Sequence, residues 1–149
     1  MSSTVLESAV RLPSPEGTDQ SAALRRRILV VDDDPSVLGL LSHVLERLDV
    51  DIDTCSDPEA ALRRFDEFSY DVVISDDRMP KMSGRDMLAK VRGRRPETPT
   101  ILITGFGSPQ KLDDAFANAG VFSFVNKPWD NRALVDTVQD ALRARRALA

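Results

Sequence analysis

From Arg27 onward, apolar and polar positions alternate between two periods. Ile28-Leu29-Val30-Val31, Val72-Val73-Ile74 and Thr100-Ile101-Leu102-Ile103 are short, continuously apolar runs. Val50-Asp51-Ile52-Asp53-Thr54-Cys55 alternates residue by residue, and Phe122 to Val125 forms a last short run. Between them the apolar positions recur at helical spacing: Val37, Leu38, Leu41, Val44, Leu45 and Leu48; Ala60 to Phe68; Met87, Leu88 and Val91; Leu112, Ala115, Phe116 and Ala119; Leu134, Val135, Val138, Ala141 and Leu142. Two-residue periodicity marks strands and the 3.6-residue period marks helices. Five strand–helix units in series predict an α/β fold, a doubly wound (βα)5 parallel sheet covered by helices on both faces. Continuously apolar strands are buried on both faces and belong at the centre, whereas alternating strands suit the edges. Strands one, three and four are therefore central and two and five are edges, which the order 2-1-3-4-5 satisfies.

Helix starts are signalled by capping residues. Asp34-Pro35, Asp57-Pro58 and Ser108-Pro109 each set a capping side chain before a proline at the first helical position, and Asp130 serves the last helix. The first 24 residues lack sustained periodicity and carry Pro13 and Pro15. They are expected to form a mobile arm (1–24) ahead of a single domain at 25–149.

Composition narrows the class. The 149 residues are 42% hydrophobic and 30% charged, as in a soluble globular protein. No run approaches the roughly 18 apolar residues of a membrane span, and no secretory leader is recognisable. The single cysteine, Cys55, excludes an intrachain disulfide and suits the cytoplasm. A net charge of −4 argues against a general nucleic-acid-binding surface.

The chemistry follows from what ends each strand, because ligands of open α/β sheets bind at the carboxyl ends of the strands. Strand one ends in Asp32-Asp33-Asp34, strand three in Asp76-Asp77, strand four in Thr104-Gly105 and strand five in Asn126-Lys127-Pro128. Crowded carboxylates raise one another's pKa or attract a cation. An all-oxygen set suits a hard ion such as Mg²⁺. Lys127 and the Thr104 hydroxyl add a point charge and a donor for phosphoryl oxygens. Together these groups predict a phosphoryl site beside Mg²⁺, with an aspartate as acceptor.

Four segments carry a more specific resemblance: Arg27-Ile-Leu-Val-Val-Asp-Asp-Asp-Pro35, Asp71-Val-Val-Ile-Ser-Asp-Asp-Arg-Met-Pro-Lys-Met-Ser-Gly84, Ile101-Leu-Ile-Thr-Gly105 and Phe124-Val-Asn-Lys-Pro-Trp129. In order and spacing they resemble the receiver domain of two-component response regulators, over about four-fifths of the chain. The resemblance implies the flavodoxin-like fold and a role for each matching residue. Asp76 would be the phosphoacceptor, taking a phosphoryl group from a sensor histidine kinase or phosphotransfer protein. Asp33 would bind Mg²⁺ (or Mn²⁺) directly and Asp32 through water, with Asp76 and the Arg78 carbonyl completing the metal ligands. Lys127 would hold the phosphoryl oxygens, and Lys127-Pro128 would be cis. Thr104 and Phe124 would switch inward together, and Arg78 and Phe106 would tune phosphoryl lifetime. The surface of the fourth helix, fifth strand and fifth helix would then meet a protein partner or a second copy in a phosphorylation-dependent homodimer. No nucleic acid, membrane or turnover of an external substrate is expected. No output domain is expected after the last helix.

Two other functions fit parts of the pattern. Asp32-Asp33-Asp34 contains the Asp-x-Asp of aspartate-nucleophile Mg²⁺ phosphohydrolases of the haloacid dehalogenase type, but the acidic pair required after the lysine is replaced by scattered Asp130, Asp136 and Asp140. A phosphorylation-independent docking module would not need an intact acceptor site. Asp77, where receivers often carry an apolar residue, is expected to add a negative charge and strengthen the need for metal. His43 is expected to be solvated, Cys55 a packed or half-buried edge-strand thiol and Trp129 a packing residue. The arginines at 25–27, 92–95 and 143–146 are expected at the amino-terminal edge of the sheet, complementing helix C-termini or docking an acidic partner.

Overall fold

The computed structural model describes residues 25–105 and 120–148, with side chains as far as Arg145. The expected arm at 1–24, Phe106 and the helix expected around Leu112–Ala119, with its Ser108-Pro109 start, lie outside the described residues. The remaining elements are β1 (Arg26–Val31), α1 (Pro35–Leu45), β2 (Val50–Cys55), α2 (Pro58–Glu67), β3 (Val72–Asp76), α3 (Gly84–Arg94), β4 (Thr100–Thr104), β5 (Ser123–Asn126) and α4 (Asn131–Leu148).

The strands form one parallel sheet in the order β2-β1-β3-β4-β5. Every residue of β3 and β4 is buried, as are Ile28 to Val31 of β1, whereas β2 and β5 are partly exposed. The continuous apolar runs thus occupy the centre and the mixed ones the edges.

Side-chain alternation along β1 divides the core. Ile28 and Val30 face a layer built on α1 and α4, with Leu41, Val44, Leu45, Leu134 and Val138. Leu29 and Val31 face the other layer, built on α2 and α3, with Leu62, Phe65, Met87, Leu88 and Val91. Each fully buried aliphatic side chain stabilises the fold by about 1.5–3 kcal/mol relative to exposure.

Aspartate side chains cap the helices as expected. Asp34 accepts from the Ser36 amide at 2.9 Å, Asp57 from Ala60 at 2.9 Å and Asp130 from Ala133 at 2.9 Å. Helix α3 is capped by Ser83, whose Oγ accepts from the Asp86 amide at 3.1 Å. That cap is readable as a Ser-x-x-Asp pattern ahead of the apolar positions of α3.

The amino-terminal end of the sheet is held by arginine. Arg25 reaches Asp49 at 2.9 Å and Asp51 at 3.1 Å, and Arg26 reaches Asp71 at 3.3 Å. Arg94 donates to the Leu62 carbonyl and to Asp66, and Arg95 donates to the Phe68 carbonyl while lying over the Phe65 ring. Arg95, which also reaches the Asp66 carbonyl at 3.4 Å, thereby satisfies carbonyls at the C-terminal end of α2 that no further helical turn reaches. Buried among them is Asp53, which accepts from the Tyr70 hydroxyl at 2.6 Å, with Arg64 at 3.8 Å and Arg27 at 4.0 Å. Burial, then the Asp53 carboxylate, pushes the Tyr70 hydroxyl pKa up. The polar half of the β2 alternation is therefore not uniformly solvated: Asp53 is buried while Ile52 is only half-buried.

Candidate functional site

The site is built where β1 and β3 end. Both strands are pulled to the centre of the sheet by their apolar runs, so Asp32 and Asp76 emerge side by side from a buried frame. Asp32 is 1% exposed and Asp76 5%, while Asp33, one residue beyond, faces solvent. One carboxylate oxygen from each of Asp32, Asp33 and Asp76 lies within 4.8 Å of the others. On the far side, β5 delivers Lys127. Its amide donates to the Thr104 carbonyl at 2.8 Å, and its Nζ stands 2.6 Å from Asp76 Oδ1. The Lys127-Pro128 peptide is cis.

The electrostatics follow from this packing. Burial, the dominant cause, together with the charges of Asp76 and Asp33, raises the Asp32 pKa from 3.8 to about 6, against the Asp34 amide and Lys127. Burial pulls the Lys127 ammonium down, but its hydrogen bond to Asp76 and the neighbouring carboxylates outweigh this and leave its pKa raised. Asp32 Oδ1 accepts from the Asp34 amide at 2.9 Å. Asp32 Oδ2 is buried and has no hydrogen-bond partner among the described residues. Three carboxylates clustered in this way, one of them with a buried and unpaired oxygen, are a donor set suited to a hard divalent cation. The residues present therefore fit a metal ion.

Thr104 is buried at the end of β4, opposite Asn126 of β5 in the sheet register. Phe124 is half-buried and packs against the core layer of α2 and α3. Arg78 is exposed in the loop between β3 and α3. The structure thus gathers Asp32, Asp33, Asp76 and Lys127, sets Thr104, Phe124 and Arg78 on the elements around them, and leaves Phe106 outside the described residues.

Two residues of the site carried no role in the sequence reading. A Cβ at Gly84 would overlap the Asp76 carbonyl, so only glycine lets the start of α3 lie against the strand end that bears Asp76. Arg85 grips the Asp77 carboxylate with Nη2 at 2.9 Å and Nε at 3.3 Å. This corrects the expectation for Asp77. Its charge is paired with a guanidinium rather than added to the crevice. Of the arginine clusters, Arg25, Arg26, Arg27, Arg92, Arg94, Arg95 and Arg143 are engaged within the chain, as structural partners of acids and carbonyls. His43 is solvated with Glu46 at 3.7 Å, Cys55 is half-buried, and Trp129 packs on the α1 and α4 layer.

Comparison with known proteins gives the same answer. The family model of the response regulator receiver domain matches residues 28–139. The response regulator protein PilR of Pseudomonas aeruginosa is 35% identical over 123 residues, 81% of this chain and 27% of that protein. The transcriptional regulatory protein GlrR of Escherichia coli is 38% identical over 117 residues, 77% of this chain and 26% of that protein. Among solved structures, a response regulator receiver domain from Clostridium thermocellum superposes with a TM-score of 0.77 at 32% identity, covering 83% of this chain and 99% of that one. The chain belongs to the response regulator receiver family, whose domains are phosphorylated on aspartate in two-component signalling. It spans about a quarter of the length of the two curated relatives.

Proposed function

We propose that this chain is a phosphorylation-switched receiver that takes a phosphoryl group from a sensor histidine kinase or phosphotransfer protein onto Asp76 and signals through a protein partner. The observation that carries this reading is the contact of Lys127 Nζ with Asp76 Oδ1 at 2.6 Å, beside the unpaired Asp32 Oδ2. It sets a nucleophilic carboxylate between a fixed ammonium and a cation-binding acid pair.

On this reading Asp32, Asp33 and Asp76, with the Arg78 carbonyl, hold Mg²⁺. The ion, when bound, neutralises charge on the transferring phosphoryl group. An oxygen of Asp76 attacks the phosphorus of the donor. The donor nitrogen leaves with the electron pair of the broken bond, and Asp76 carries an acyl phosphate. Lys127 then exchanges its carboxylate contact for a phosphoryl oxygen. Thr104 moves to donate its hydroxyl to another, and Phe124 follows into the space vacated. The surface beside β5 and α4 changes with it, and a partner or a second copy reads that surface. Arg78 sets the lifetime of the acyl phosphate, together with Phe106, which lies two residues after Thr104 in the sequence. The protein acts as a cytoplasmic switch with self-catalysed uptake and loss, not as an enzyme turning over an external ester.

The test is Mg²⁺-dependent labelling of the full chain with phosphoramidate, read by intact mass. Wild type is expected to gain one phosphoryl group and Asp76→Asn none. Equal labelling of the two proteins would sink the assignment. Hydrolysis of small phosphate esters undiminished in Asp76→Asn would favour a phosphohydrolase instead.

A further inference from the structure

Asp77 is the residue after the phosphoacceptor, yet its carboxylate is absent from the acidic cluster formed by Asp32, Asp33 and Asp76. It is held elsewhere on every side. Its amide donates to the Ile103 carbonyl of β4 at 2.9 Å, its carbonyl accepts from the Gly84 amide at 2.8 Å, and both carboxylate oxygens receive the Arg85 fork. Its side chain is 9% exposed and that of Arg85 31%. Arg85 lies in the first turn of α3, directly after the Gly84 that abuts Asp76.

We propose that Arg85 is a positioning residue that decides how many carboxylates the site contains. This inference rests on the receiver reading above. Three carboxylates are balanced by one divalent cation and the Lys127 ammonium. An anionic phosphoryl donor then meets a site without net repulsion. A fourth carboxylate, unpaired and one residue from Asp76, would bind the cation more tightly and repel the donor. The bidentate fork removes that charge and fixes the first residue of the loop that carries Arg78. The opposing signs distinguish this role from simple support of the fold, which would weaken metal and donor together.

The experiment is a double-mutant cycle on the full chain: wild type, Arg85→Gln, Asp77→Asn and the double variant. Mg²⁺ affinity is measured by calorimetry at pH 7.5 in 50 mM and 500 mM KCl, and labelling rate with phosphoramidate at saturating Mg²⁺. In low salt, Arg85→Gln is expected to bind Mg²⁺ on the order of fivefold more tightly and to label several-fold more slowly. Asp77→Asn is expected to bind Mg²⁺ more weakly by a similar factor, and the double variant to return to within about twofold of wild type. High salt should shrink both single-variant effects. Wild-type Mg²⁺ affinity in both single variants, or a double variant no closer to wild type than Arg85→Gln, overturns the proposal. If Arg85→Gln does not fold, Asp77→Asn and the double variant decide it by the same criterion. A wild type that binds Mg²⁺ but takes no label defeats the receiver reading instead, while the calorimetric cycle still judges Arg85.

Discussion

The two ends of the sheet use the same chemistry to opposite ends. At the amino-terminal end, Asp49, Asp51, Asp53, Asp66 and Asp71 each have an arginine within 4.0 Å. At the carboxyl end, three carboxylates share one lysine, and an oxygen of Asp32 has no partner among the described residues. The first arrangement is complete and joins elements. The second is incomplete among the described residues, as the proposed receiver reading expects of a site finished by a cation or a phosphoryl group. Acidic content alone separates nothing here; the pairing does.

The largest effect that could break this contrast is at Lys127. Lys127→Ala is expected to slow phosphoryl uptake on the order of 100-fold, since it removes the fixed charge aimed at the transferring group. Labelling rates at saturating Mg²⁺ check this, and a rate within threefold of wild type would contradict it. At the opposite end, Asp53→Ala is expected to lower stability by roughly 3 kcal/mol, because it removes the buried carboxylate that accepts from the Tyr70 hydroxyl and faces Arg64 and Arg27. Urea unfolding measures this, and the labelling rate of the folded fraction should not change.

A smaller effect concerns pH. The Asp32 pKa is raised to about 6. Its protonation therefore favours the folded state at low pH, and that contribution fades as pH rises through about 6, where the buried carboxylate ionises. A cation offsets the cost only once the charge is present. The rise in Tm on adding Mg²⁺ should be greater at pH 7.5 than at pH 5; an equal rise at both would remove Asp32 from the metal site. The smallest effect is expected from Arg94→Ala, about 1 kcal/mol or less by thermal melting, since both of its contacts are partly solvated.

The parts of this molecule legible in the sequence are those specified locally. Runs such as Val72-Val73-Ile74 fix which strands are central, and Asp34, Asp57 and Asp130 announce their helices beside proline or an apolar period. The strand-end rule then points to Asp32, Asp76, Thr104 and Lys127 without any knowledge of distance. What the pattern could not supply is pairing across the fold. Asp51 and Asp53 look alike in an alternating strand, and only the approach of Tyr70, 17 residues away, buries one of them. Asp77 read as an added charge because its neutralising partner comes from the next helix, eight residues on. Gly84 stood within the matched segments, but its necessity appears only when α3 is laid against the Asp76 carbonyl.

Asp53 also bears on how the chain finds its register. Strand β2 is an edge held to the sheet by β1 alone, with Asp53 opposite Leu29. A slip of one residue would turn Asp53 toward the apolar layer of α1 and α4 and set Ile52 or Thr54 against the Tyr70 hydroxyl. The misaligned sheet would then bury a carboxylate without its arginines and leave a phenol without an acceptor. A residue that is costly to bury in the correct alignment is costlier still in the wrong one. In this way a single inward-pointing acid on the edge strand guards the alignment that sets Asp53 opposite Leu29 and Cys55 opposite Val31, where β1 ends.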